Sequence, residues 1–183
     1  MTQEQLNALL NYVRSKFVYK YKQSSMFVEE KGLRDALKIP HKGFFIGIND
    51  PSQKEIIRDG FLCPNSDNVL NSVDLVIETA FNELKSENIT FPIYSASSVH
   101  LTIITDCKYL KNPLLWNEKE NGVYFQWGQK YHSLYLPYQI KSFNLTKSAI
   151  LDRLCGWEAG LASSLWRLPE SLIWELVAFS ISS

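Results

Sequence analysis

No two cysteines in this sequence are spaced as C-x-x-C, and no two histidines lie close enough to share a metal from one turn or hairpin. Cys63, Cys107 and Cys155, like His41, His100 and His132, are scattered. That spacing excludes the usual zinc-binding patterns, so no metal site is expected. An odd, dispersed set of thiols is also the usage of reduced cysteines, and a cytoplasmic location is expected. No apolar run approaches the ~20 residues that a membrane-spanning helix needs. The opening stretch "MTQEQLNALLNYVRSKF" lacks the uninterrupted apolar core of a signal peptide. No membrane contact is therefore expected, and the sequons at Asn88 and Asn144 are read as accidental. Charge of one sign is also missing: Lys plus Arg and Asp plus Glu each number 19. A zero net charge argues against a general phosphate-binding protein, although a local basic patch is compatible with it. Repeats, low-complexity tracts and clear linkers are absent as well.

Apolar and aromatic residues are plentiful, at 45% and 13% of 183 residues. A chain of this length hides roughly 70% of its extended surface on folding and needs no disulfide or metal staple. One domain is expected over residues 1–183, with room for a small sub-lobe. Thr2 and Gln5 form a capping-box pair, and Leu6, Leu9, Leu10, Val13, Phe17 and Tyr21 recur at helical spacing to about Lys22. The other face of this helix carries Arg14, Lys16, Lys20 and Lys22 beside Tyr12 and Tyr19. It reads as a solvated face, or else as a nucleic-acid stripe. "GFFIGI" (43–48) predicts a buried strand, "NDPSQKE" a turn, and "IIRDGFL" (56–62) the antiparallel return. Val69, Val73, Val76, Ile77, Ala80, Phe81 and Leu84 then mark a long amphipathic helix.

"FPI" reads as the end of a loop before a strand at 97–106, in which Val99, Leu101 and Ile103 face one covered side. Residues 121–137 read as a hairpin turning at "GQK" and stopped by Pro137. A helix at 146–161 follows, with Gly160 as its stop, and 171–181 reads as a strand from its Ile, Val, Trp and Phe. Helix, hairpin, helix, strands and helix do not alternate as in a Rossmann or barrel fold. The expected class is α+β, a mainly antiparallel sheet flanked by helices, with a smaller lobe.

Taken in order, these stretches resemble the AMMECR domain family, named after the human Alport-syndrome, midface-hypoplasia and elliptocytosis chromosomal region. "ALLNYVRSKFVYKY" resembles the family's opening helix, and "GFFIGI" the strand before its signature. "VIETAFNELKSENITFPI" resembles its Ala-Ala-Phe helix with Arg-Phe-Pro-Pro, and "VHLTIIT" its Val-Glu-Val-Ser-Val-Leu-Thr strand. "GVYFQWGQKYHSLYLP" is similar to its Gly-led hairpin, and "LDRLCGWEAGL" to its Leu-Cys-x-Lys-Ala-Gly-Leu helix. The resemblance spans nearly the whole chain and rests on colinearity. It implies an α+β fold with a smaller lobe but no settled activity. Some family members are fused to, or encoded with, a Memo-like protein and a radical S-adenosylmethionine enzyme, which implies an accessory role or an enzymatic step.

"IIRDGFLCP" occupies the place of the family signature, Leu-Arg-Gly-Cys-Ile-Gly. Without a gap, Arg58 keeps the arginine, while Asp59 and Gly60 take the first Gly and Cys positions. With Asp59 as an inserted bulge residue, Gly60 keeps the Gly, Phe61 takes the Cys position, and Cys63 replaces the last Gly. The bulge is preferred, because Gly suits one. On either alignment the family's cysteine is missing. In a regular strand Arg58, Gly60 and Leu62 share one face and Asp59, Phe61 and Cys63 the other, so only a bulge brings Cys63 beside Arg58. Thr90 likewise stands where the family has the arginine of Arg-Phe-Pro-Pro.

Arg58, Asp59, Gly60 and Cys63 are thus the candidate ligand-binding residues, and Cys63 and His132 the candidate catalytic ones. Cys63 precedes a helix whose N-terminal field could lower its pKa; the alternative is a structural thiol. His132 could pair with Cys63 or Cys155, without a visible third group. Cys155 reads as a core residue, and His100 as a surface or hydrogen-bonding one. Tyr124, Phe125, Trp127, Tyr131 and Tyr135 could stack a base or pack across strands. Three readings follow. The first is an accessory module that binds a protein or a small anionic ligand through Arg58, with a homodimer left open. The second is an enzyme using Cys63 and Arg58, and the third a nucleic-acid binder, disfavoured by the charge balance. No cofactor is expected.

Overall fold

The computed structural model describes residues 2–23, 41–62 and 69–183. Its elements are α1 (Gln3–Lys22), β1 (Gly43–Asn49), β2 (Glu55–Leu62), α2 (Val69–Ser86), α3 (Phe91–Ala96), β3 (Ser98–Tyr109), β4 (Gly122–Trp127), β5 (Tyr131–Tyr135), α4 (Pro137–Ser142), α5 (Lys147–Arg153) and β6 (Ser171–Ser182). A π-helical turn at Leu154–Glu158 continues α5, and a 3₁₀ turn spans Ser163–Arg167. The six strands form one antiparallel sheet in the order β2-β1-β3-β6-β4-β5, which bears out the α+β class.

Two compact units are built on these elements: Met1–Ile103 with Phe179–Ser183, and Ile104–Ala178. In the first, α1 starts at the capping box of Thr2 and Gln5 and buries Leu6, Leu9, Val13 and Phe17. These pack with Phe44, Ile46 and Ile48 of β1, Ile57 of β2, Val73 to Leu84 of α2, and Val99, Leu101 and Ile103 of β3. Tyr12, expected on the solvated face, is buried, and its hydroxyl donates to Asp74 Oδ1 at 2.7 Å.

β3 departs from the expected single covered face. Thr102, on its polar side, is fully buried and shares a hydrogen bond of 3.2 Å with Ser180 of β6. Ile104 is buried like Thr102, so the middle of β3 is covered on both faces.

In the second unit Val123, Phe125, Tyr135 and Ile173 face Trp116, Ile140, Ile150, Leu151, Leu154, Cys155 and Trp166. β4 and β5 pair as the expected hairpin, from Val123 opposite Tyr135 to Trp127 opposite Tyr131. The helix expected over 146–161 holds α-geometry only to Arg153 before loosening into the π turn. Gly160, at φ +68°, ends it in the left-handed region that glycine tolerates.

"FPI" is a correction: it opens α3 rather than ending a loop. Pro92 sits in the first turn, where its missing N–H is harmless.

Candidate functional site

Strand β2 carries "EIIRDGFL", and its register decides whether a bulge forms at Asp59 and Gly60. Residues 57–62 pair one to one with β1: Ile57 with Ile48, Arg58 with Gly47, Asp59 with Ile46, Gly60 with Phe45, and Leu62 with Gly43. The expected bulge at Asp59 and Gly60 is therefore absent. A register shift does occur, between Ile48 and Asn49, which face Ile57 and Glu55 and leave Ile56 as the extra residue. A bulge forms where both strands permit it, and here the adjacent turn at Asp50 to Lys54 absorbs the irregularity.

This displaced bulge has a chemical consequence. Three residues apart on a regular strand, Glu55 and Arg58 would point to opposite faces. The extra residue brings them to the same side, with Arg58 Nε 3.8 Å from Glu55 Oε2. Ile57 and Phe61 pack into the core on the other side. Asp59 shares that side, close enough to Glu83 of α2 to help hold its carboxyl above the usual range, after burial and together with Glu87. Arg58 and Asp59 therefore do not form one site.

Gly60 is a structural residue. At φ +155°, a Cβ there would collide with the Phe44 carbonyl oxygen and the Phe45 ring, and lie 2.7 Å from Phe45 Cα. Its N–H donates to Asp59 Oδ1 at 2.7 Å. Cys63 lies outside the described residues.

The other thiols and histidines are not assembled for nucleophilic chemistry. Cys155 is fully buried, and burial pushes its thiol up to about 11, against a lesser lowering by a backbone hydrogen bond. His132 is exposed on β5 and stacks on Tyr124 at 6.5 Å. Its neighbour Ser133 points the other way and donates to the Leu154 carbonyl, beside Cys155. The strand thus separates His132 from Cys155. His100 is half-buried with Nε2 3.3 Å from Ser98 Oγ, and burial lowers its pKa. Among the described residues no three His, Cys, Asp or Glu side chains cluster as for a metal. No described helix is long and apolar enough to cross a membrane.

Two of the basic residues of α1 pair with carboxylates of α2. Lys16 pairs with Asp74 at 3.5 Å, and Lys20 pairs with Glu78 and lies 5.4 Å from the Phe81 ring centroid. The five hairpin aromatics are divided by strand alternation. Phe125 and Tyr135 are buried and Trp127 packs against the same core, whereas Tyr124 faces the other side and Tyr131 is exposed. On that other side Tyr109, Trp174, Tyr124 and His132 form a row, with successive ring centroids 6.0, 5.4 and 6.5 Å apart.

Pattern reading missed one cluster in the second unit. Tyr135, at the end of β5, turns its hydroxyl inward toward Arg153 of α5 and Glu158 of the π turn. Burial holds that hydroxyl up to about 12; Glu158 adds to the rise, while Arg153 opposes it. The three groups converge on the Tyr135 hydroxyl. The Arg153 guanidinium lies 4.7 Å from the Phe143 ring centroid and 5.1 Å from that of Trp157, which is 81% exposed. Four separate segments contribute, so no spacing rule marks them. The sole cue is a tryptophan in the polar stretch "GWEAG".

No family profile and no curated protein matches the chain. A crystal structure of an uncharacterized protein from Pyrococcus horikoshii is similar, with a TM-score of 0.77 over 100% of this chain and 93% of that one, at 17% identity. Likeness at that identity extends to the fold.

Proposed function

We propose that the chain is an AMMECR-like accessory module that binds a protein partner or a small ligand through an anionic group recognised by Arg58. One observation carries the reading. Arg58 is fixed on a strand locked to β1 by Gly60, on the face away from the core, with its side chain 24% exposed. An incoming carboxylate or phosphate would compete for the guanidinium with Glu55, whose Oε2 lies 3.8 Å from Arg58 Nε. The signature is reduced to an arginine that can bind and a glycine that holds the strand. Burial of Cys155 and its separation from His132 favour binding over thiol chemistry at those residues. The pairing of Lys16 with Asp74 and of Lys20 with Glu78 disfavours nucleic acid. A cytoplasmic setting accords with this role.

The test is Arg58→Ala. Pull-down of a partner or metabolite should weaken while the melting temperature stays that of the parent. A variant that unfolds would make Arg58 a structural residue and end the proposal. Unchanged capture by a folded variant would end it equally.

A further inference from the structure

We propose that the aromatic row on the sheet of the second unit binds a proline-rich segment of a partner protein, in the extended polyproline conformation and independently of Arg58. The segment would run across the strands, its pyrrolidine rings resting on Tyr109, Trp174, Tyr124 and His132.

Each ring of the row comes from a different strand, and these strands, β3, β6, β4 and β5, are successive neighbours in the sheet. Trp174 stands between Tyr109 and Tyr124, at 6.0 and 5.4 Å, and Tyr124 stacks on His132 at 6.5 Å. Strand pairing completes the face: Leu134 lies opposite Tyr124, and Gln126 opposite both His132 and Leu172. Every one of these residues is half-buried or exposed, Tyr109 to 52%, whereas Val123, Phe125, Tyr135 and Ile173 on the opposite face are buried. Large rings ordinarily go to the core, so a contiguous row of them within reach of water marks an interaction surface.

The chemistry of the guest follows from this face. The residues just named include no Asp, Glu, Lys or Arg, so charge complementarity points to an uncharged guest. A polyanion needs cations along its backbone, but Lys108 adjoins the row at one end, and Lys130 lies over the Tyr131 ring at 5.2 Å. The row does supply donors, the Tyr109 hydroxyl and the Trp174 indole N–H. A polyproline helix makes no internal hydrogen bonds, so its carbonyls are ready acceptors, and its prolines have no N–H to satisfy. Trp174 meets Tyr109 edge-on and tilts 51° from Tyr124, which makes the row ridged. Aromatic ridges of this kind receive pyrrolidine rings, and the stiff helix loses little entropy on docking. Four strands at ordinary spacing span about 14 Å, the reach of four to five polyproline residues at about 3.1 Å each. A row laid across strands offers length rather than depth, which suits a chain segment.

The test titrates the ¹⁵N-labelled full chain with acetylated, amidated hexaproline and follows the Trp174 indole N–H resonance, assigned by Trp174→Phe. A saturable shift is expected, with a capped Gly-Ser hexapeptide at least about tenfold weaker. Tyr109→Ala and His132→Ala, both at exposed positions, should melt like the parent, and Tyr109→Ala should weaken hexaproline by about tenfold. A Trp174 resonance that does not saturate, a Gly-Ser peptide that binds as well as hexaproline, or either folded variant binding hexaproline like the parent would overturn the site. The peptide comparison on the parent decides the matter even where a variant fails to fold. Oligothymidylate binding more tightly than hexaproline would overturn it in favour of single-stranded nucleic acid. A Trp174 shift on concentrating the protein alone would overturn it in favour of a second copy of this chain.

Discussion

Gly60 lies directly opposite Phe45, and the Phe45 ring occupies the space into which a Cβ on residue 60 would project. Backbone and side chain of β1 both close on that point, and φ at +155° adds strain for any other residue. Gly60→Ala should lose about 2 kcal/mol or more, read as a melting temperature lower by about 4–8 °C. Arg58→Ala, on the same strand with its side chain away from the core, should leave the melting temperature unchanged. A Gly60→Ala variant as stable as the parent would mean that β1 and β2 are not this closely joined.

Asp59 acts on the charge of a neighbouring carboxyl. It faces Glu83, whose carboxyl is raised above 4.5 by burial first, then by Asp59 and Glu87. A raised carboxyl favours folding at low pH, where it is protonated, and that contribution is lost as pH rises through the folded value. Glu83→Gln keeps the neutral form at every pH. It should melt higher than the parent at pH 7 by a few degrees, and the gain should vanish as pH falls below 4.5. An equal gain at both pH values would exclude this electrostatic origin.

Long periodic elements were legible in the sequence because burial repeats along them. Leu6 to Phe17 on α1 and Val73 to Leu84 on α2 are buried as their spacing required. The short helices were not, since Phe91–Ala96 and Pro137–Ser142 are too brief to show a period. Their prolines also read as breaks, although each sits in a first turn. Thr102 is buried because both faces of β3 are covered at that point, a fact of tertiary packing that no local pattern carries. The bulge at Ile56 likewise depends on the pairing of Ile48 and Asn49. Of the candidate site, Arg58 was legible as a charged residue on a strand, whereas its pairing with Glu55 follows from that bulge. The Tyr135 and Arg153 cluster arises only when hairpin and helix pack.

Cys155 should behave as a core residue rather than a nucleophile. Its thiol, raised to about 11 and fully buried, is almost wholly protonated at pH 8. Iodoacetamide at pH 8 should leave it unmodified in the folded protein and label it in denaturant, as peptide mass spectrometry would show. Cys155→Ser places a hydroxyl among Leu151, Leu154 and Ile150 and should cost about 1–3 kcal/mol. Rapid labelling without denaturant would contradict the burial.

His100 gives the stability curve a slope on the acid side. Burial lowers its pKa below 6.5, so the folded protein prefers the neutral ring and the unfolded chain binds the extra proton first. Stability should therefore be full above pH 6.5 and decline as pH falls from there to the depressed folded value. Below that value both states are protonated, and this contribution stops changing. His100→Asn removes the titrating ring beside Ser98. Urea midpoints from pH 7.5 to pH 5 should fall for the parent more steeply than for the variant. Parallel curves would show that His100 takes up its proton equally in the folded and unfolded chain, contradicting the lowering by burial.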